Sequence, residues 1–201
     1  MGYHDALTAA GETVEVVGVD LVHQPGYPFE FVQADALDFP LGGFDFIHAS
    51  PPCQFATAYK RRRGHVAESP NLIPPTRDRL RAADVPYVIE NVPGARDHLI
   101  DPVQLCGSSF GLDVRRHRLF ESNVTIGDTP PCAHSWQTPR FPPATNRTNL
   151  RSTVEVGVWR IPLDVQQRAM GIDWMDRHEL SQAIPPAYTE WLGRQIASGP
   201  S

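Results

Sequence analysis

Four short apolar runs in the first half of the chain, each leading to a polar side chain, constrain its fold more than any other feature. They are Val14 to Val19, ending at Asp20; Phe29 to Gln33, leading to Asp35; Phe44 to Ala49, running into Ser50-Pro51-Pro52-Cys53-Gln54; and Val85 to Val92, closed by Pro93-Gly94. Short apolar runs separated by loops or helices predict the buried strands of a parallel α/β sheet. Open sheets of that kind place ligands and reacting groups just beyond the carboxyl ends of their strands. Asp20, Asp35, Cys53 and Glu90 would then converge on one edge. Taken singly, each is equally well read as a strand ending in a polar turn.

The rest of the chain extends this pattern. Residues 71 to 83 mix Leu72, Ile73, Leu80, Ala82 and Ala83 with Arg77, Arg79 and Arg81, which predicts an amphipathic helix starting near Pro74-Pro75. Between Asp113 and Ser122, Arg116 and Arg118 alternate along an expected strand and so should share its face. From Asn123 to Arg160 there is no clear periodicity, and Pro, Thr and Arg dominate, with Arg140, Arg147, Arg151 and Arg160 spread along the segment. It reads as an irregular binding insert. Helices follow at Leu163 to Met170 and, after Pro185-Pro186, at Tyr188 to Ile196.

Composition narrows the class of molecule. A chain of 201 residues holds one ordinary core with a small appendage. Its 41% hydrophobic and 20% charged content is that of a soluble globular protein, and no apolar run approaches the ~18 residues of a membrane span. With 18 Lys and Arg against 23 Asp and Glu, the net charge is −5, so binding to nucleic acid would need a local basic patch. Lys60-Arg61-Arg62-Arg63 provides one, or is a solvated basic turn. Three cysteines, Cys53, Cys106 and Cys132, cannot all pair, and no secretory leader precedes them, so a reducing cytoplasm is expected. Cys53 is then more interesting as a nucleophile than as half of a disulfide. Cys132-Ala133-His134 could join Cys106 or His117 at zinc, but the spacing for four ligands is incomplete. No metal is assigned on this basis, and Cys106 is expected to be structural.

Several motifs, in order, resemble those of the DNA cytosine-5 methyltransferases. They are Ser50-Pro51-Pro52-Cys53-Gln54, then Val88-Ile89-Glu90-Asn91-Val92, then Leu105 to Leu112 leading to Arg115-Arg116-His117-Arg118-Leu119-Phe120, and finally Ala169 to Trp174 with Leu180 to Tyr188. The set spans nearly the whole chain, and its compactness is similar to that of the small methyltransferases of bacteriophages. The resemblance implies a Rossmann-like, class I S-adenosylmethionine-dependent methyltransferase sheet with a small irregular target-recognition region. It also implies double-stranded DNA as substrate, a monomer, and the cytoplasm of a bacterial host. The catalytic core is expected over residues 1–122, the recognition region over 123–160, and C-terminal helices returning to the core over 161–201.

The implied chemistry requires these residue types. Cytosine C5 becomes nucleophilic only after a thiolate adds at C6, the role carried over to Cys53. Glu90 would hydrogen-bond the N3 and amine edge and favour protonation at N3. Arg118 would contact O2 and stabilise charge developing there, supported by Arg116. The base must leave the duplex first. Gln54, Lys60, Arg61, Arg62, Arg63, Arg140 and Arg147 are the implied DNA contacts. For S-adenosylmethionine, Asp20 matches the acidic residue after the family's second strand, which binds the ribose. Asp35 matches the aspartate after the third strand, which meets the adenine amine. Leu21, Ala36 and Pro51 would line the cofactor, and Gln182 or Ala183 would close the site.

This chain departs from the family in one large respect. No first strand with its glycine-rich Asp-Leu-Phe-x-Gly-x-Gly-Gly loop precedes residues that resemble the following helix, Met1-Gly2-Tyr3-His4. That strand is central, so its absence should leave a gap in the sheet with unpaired backbone groups on two neighbours. Either Met1 is an internal methionine or the product is a truncated relative. Val114 also replaces the usual Gln before the Arg-x-Arg motif, and Ser181-Gln182 replaces Gly-Asn. Other readings therefore stand beside the enzyme: a catalytically impaired DNA-binding remnant, or a nucleotide-level pyrimidine enzyme that also adds a Pro-Cys thiolate to C6. The DNA target and any partner restriction enzyme are not legible.

Overall fold

The computed structural model describes residues 1–56, 69–138 and 151–197. Helix α1 (Gly2–Ala9) is followed by strands β1 (Val17–Asp20), β2 (Glu30–Gln33) and β3 (Ile47–Ala49), then helix α2 (Ile73–Ala83) and strand β4 (Tyr87–Asn91). Strands β5 (Val103–Leu105) and β6 (Arg118–Ser122) come next, then the two-residue strands β7 (Gln137–Thr138) and β8 (Arg151–Ser152). Helices α3 (Leu163–Met170), α4 (Arg177–Gln182) and α5 (Pro186–Ala197) close the chain.

The expected strands are present but shorter, because only part of each apolar run enters a ladder, in β1, β2 and β3 its carboxyl-terminal part. The main sheet is mixed, with order β3-β4-β6-β5. β3 runs parallel to β4, whereas β6 is antiparallel to both β4 and β5. All five residues of β4 are buried, as befits a central strand covered on both faces. Its pleat sorts the core. Tyr87 and Ile89 pack with Leu119 and with Ile73 and Leu80 of α2, while Val88 packs with Phe120 and with Tyr188 and Leu192 of α5. Helices thus cover both sides of one sheet, giving an α/β architecture.

Pro74 and Pro75 stand in the first turn of α2, where a missing N–H is harmless, and Asp84 ends the helix with φ 54°. From this helix Arg77 reaches β6, its Nε and Nη2 each 2.6 Å from a carboxylate oxygen of Glu121. On the opposite side α1 lies directly on α5: a Cβ on Gly2 would sit 2.1 Å from the Pro186 carbonyl oxygen, so only glycine permits the contact. A third cluster, including Val114, Ile161, Met170 and Leu180, joins α3 and α4 to the segment preceding β6.

β1 and β2 form a separate parallel pair. Among the described residues neither β1 nor β3 has a strand on its other edge, so the sheet is divided between them. Two local readings are corrected. β6 begins only at Arg118, and Arg116 lies before it with φ 34°, so the two arginines do not share a face through strand alternation. Helix α4, over residues the sequence reading left without structure, is started by a reciprocal capping box between Asp176 and Glu179. No described helix is long and apolar enough to cross a membrane.

Candidate active site

The turn after β3 delivers Cys53, and the carboxyl end of β4 delivers Glu90. Parallel pairing of Ala49 with Ile89 sets the two strand ends side by side. Two contacts fasten the cysteine loop to β4. The buried Asn91 donates from Nδ2 to the Pro51 carbonyl at 2.9 Å. Beyond Cys53, a Cβ on Gly94 would meet the Ala56 carbonyl oxygen at 2.3 Å, so the turn after β4 rests on backbone that no larger residue would admit. Cys53 itself is half-buried and unpaired with another cysteine.

Glu90 is 7% exposed, and Arg118 Nε lies 3.0 Å from its Oε1. That oxygen nevertheless accepts no well-directed hydrogen bond from the described residues. Burial pushes the Glu90 carboxyl above its ordinary pKa, opposed by Arg118, by a hydrogen bond from Ser50 and by Arg116. The carboxyl is thus held nearer to protonation than a surface glutamate, with one buried oxygen, beside Arg118, left without a well-directed hydrogen bond.

Arg116 is oriented from the opposite side. Its Nε donates to the Ala183 carbonyl at 2.8 Å and its Nη2 to the Ser181 carbonyl at 2.7 Å. The Tyr188 hydroxyl donates to the Arg116 carbonyl at 2.9 Å. Burial, then repulsion from Arg118, lowers the Arg116 guanidinium to about 10, while Glu90, Tyr188 and Cys53 act in the other direction. It remains charged at neutral pH. Cys53, Glu90 and Arg118 are therefore each brought within electrostatic reach of Arg116, although the four residues come from three separate parts of the sequence.

Behind Glu90 stands a chain that the sequence reading missed. The Tyr3 hydroxyl is 2.9 Å from His48 Nδ1, and His48 Nε2 is 3.1 Å from the Ser50 hydroxyl, which in turn bonds Glu90. Desolvation lowers His48 to about 4, so its ring is neutral, and desolvation followed by the Glu90 charge raises Tyr3 well above its usual value. The available signal was the i, i+2 placement of His48 and Ser50 leading into the Pro-Cys turn. Tyr3 carried none, because only the packing of α1 brings it there. An open cleft of about 370 Å³ lies on the arginine side, lined by Val114 to Arg116, Arg118 and Thr153 to Val156. Thr153 is buried, and its hydroxyl has no hydrogen-bond partner among the described residues.

The other predicted residues fall around this centre. Asp20 and Asp35 lie at or just past the carboxyl ends of β1 and β2, each with Oδ1 accepting a 2.8 Å bond from an amide two residues on, Val22 and Leu37 respectively. Leu21 is 65% exposed and Ala36 is exposed, whereas Pro51 is buried in the loop that Asn91 holds. Gln182 is exposed at the end of α4, its Nε2 donating to Ser181 Oγ, and Gln54 is exposed in the short turn Gln54–Ala56. Lys60, Arg61, Arg62, Arg63, Arg140 and Arg147 lie outside the described residues. The structure also brings together Cys106, His117, Cys132 and His134, a set that sequence spacing left incomplete because it draws on three separate segments.

Neither the protein-family models nor the curated proteins include a match to this chain.

Proposed function

We propose that the chain is a DNA cytosine-5 methyltransferase, transferring methyl from S-adenosylmethionine to C5 of a flipped cytosine through a covalent cysteine adduct at C6. The observation that carries this reading is the Glu90–Arg118 pair, which together with Cys53 surrounds Arg116. A buried carboxyl with a raised pKa and one oxygen lacking a well-directed hydrogen bond suits the N3 edge of a pyrimidine, and a cation beside it suits O2. Cys53 Sγ adds to C6 as Glu90 supplies a proton to N3, leaving the ring an enamine. Arg118, with Arg116 behind it, balances charge at O2. After methylation at C5, a base takes the C5 proton, the double bond re-forms with expulsion of the Cys53 thiolate, and the N3 proton returns to Glu90.

S-adenosylmethionine supplies the electrophilic methyl group in this chemistry. The β1–β2 pair fits its nucleoside: two carboxylates stand at adjacent strand ends, and the exposed Leu21 and Val22 offer an apolar surface for a base. Asp20 would hold the ribose hydroxyls and Asp35 the adenine amine. The division of the sheet falls between the strand likened to the family's second and the strand that leads to Cys53, where its central first strand is expected. This supports the Rossmann-like methyltransferase sheet as the parent architecture.

The same division favours a second reading, a DNA-binding relative with impaired catalysis. β1 and β2 share no ladder with β3, so hydrogen-bond register does not fix the cofactor carboxylates relative to Cys53. Expression of the chain and of Cys53→Ser in cells free of cytosine methylation, followed by mass spectrometry of the DNA, separates the two. 5-Methylcytosine from the parent alone supports the enzyme. None from either, with DNA binding retained, supports the second reading.

A further inference from the structure

Cys106 stands at the entry to the short turn Gly107–Phe110, His117 immediately precedes β6, and Cys132 and His134 lie in the segment after β6. Cys106 Sγ is 3.2 Å from His134 Nε2, and Cys132 Sγ is 3.4 Å from His117 Nε2. One ligand atom from each of the four residues falls within 4.8 Å of all the others. A tetrahedral zinc ion with bonds of about 2.3 Å to sulfur and about 2.0 Å to nitrogen separates neighbouring sulfur and nitrogen ligands by roughly 3.5 Å. The two measured sulfur–nitrogen distances already approximate edges of that tetrahedron.

We propose that Cys106, His117, Cys132 and His134 form a structural zinc site. Two thiolates and two imidazoles are the donors that zinc prefers, and they offer no oxygen to magnesium or calcium. With all four positions filled by protein, no place is left for a reacting water, so the role is structural. Polar contacts already run between the same segments: Ala133 N donates to Ser108 Oγ at 3.0 Å, and Ser109 Oγ donates to the Pro131 carbonyl at 2.9 Å. The ion would add a stronger tie at the same seam. Because His117 sits between Arg116 and Arg118, zinc would anchor the start of the 123–160 segment to the backbone that carries both arginines. The site uses none of the residues assigned to methyl transfer and does not depend on that reading.

The test is metal content. The full chain is purified without chelator from zinc-supplemented cells, dialysed against metal-free buffer, and measured by inductively coupled plasma mass spectrometry. One zinc per chain is expected, retained by Cys53→Ser and lost in Cys132→Ser and in His134→Ala, each checked for folding by circular dichroism. Should those variants unfold, cobalt(II) titration of the parent chain answers directly: tetrahedral thiolate coordination gives intense visible d–d bands and a sulfur-to-metal charge-transfer band. A folded parent chain that holds no zinc and gives no such bands overturns the proposal. So does an intact mass lighter by two hydrogens with Cys106 linked to Cys132, which would make the pair a disulfide.

Discussion

Asn91 donates a 2.9 Å hydrogen bond to the carbonyl of Pro51, so the residue next to Glu90 on β4 also holds the loop that ends in Cys53. Nucleophile and carboxylate are set by one strand end. Truncating Asn91 leaves the Pro51 carbonyl without this donor and removes the Oδ1 acceptor of the Val92 amide. Asn91→Ala should therefore cost about 1–3 kcal/mol in stability and raise the alkylation rate of Cys53 several-fold, read by thermal melting and peptide mapping. Unchanged labelling would show that Asn91 does not restrain the loop.

Glu90 is raised by burial and pulled back by Arg118 and Ser50. Removing either partner should push it higher, and Arg118→Met more than Ser50→Ala. Carbon-detected NMR titration of the Glu90 carboxyl reads the order directly. Because the folded pKa exceeds the unfolded one, the folded state binds the extra proton and Glu90 contributes less stability as pH rises through that interval. Glu90→Gln should flatten this part of the pH–stability curve.

His48 works in the opposite sense. Its pKa is lowered to about 4 by desolvation, so in acid the unfolded chain takes up a proton before the folded one does. Its contribution is complete above the unfolded value near 6.5 and is lost as pH falls towards 4, at most about 3 kcal/mol. Urea unfolding on both sides of that window should show a steeper acid loss for the parent chain than for His48→Asn. Equal slopes would mean that the ring is solvated in the folded state.

Arg77 and Glu121 form a buried two-bond pair whose side chains are 10% and 2% exposed. Breaking such a pair from one side strands a charge. Glu121→Leu should cost about 3–5 kcal/mol, and the double variant Arg77→Met, Glu121→Leu distinctly less than the sum of the single changes. Additive costs in a double-mutant cycle would remove the pair from the account of stability. The Ile100 amide, which donates to Glu121 Oε2 at 2.8 Å, loses its acceptor in either Glu121 variant.

The legible parts of this fold were those with a local cause. β4 could be read because a strand buried on both faces opens on a continuous apolar run before its polar end, and α2 because paired prolines suit a first helical turn. Arg116 was misplaced because alternation assumes extended backbone, and its φ of 34° breaks the pleat one residue before His117. The Asp176–Glu179 capping box was visible as Asp-x-x-Glu yet sits outside any long apolar period. Tyr3 meets His48 only through tertiary packing, as do the members of the two cysteine–histidine pairs, so spacing along the chain could not assemble them.

Arg116 grips the carbonyls of Ser181 and Ala183, at the end of α4. Such a grip acts in both directions with equal free energy. Whatever settles against the end of α4 biases the guanidinium, and whatever occupies the space before the guanidinium biases α4 to the same degree. Two ligands bound on either side of Arg116 would accordingly alter each other's affinity by one common factor.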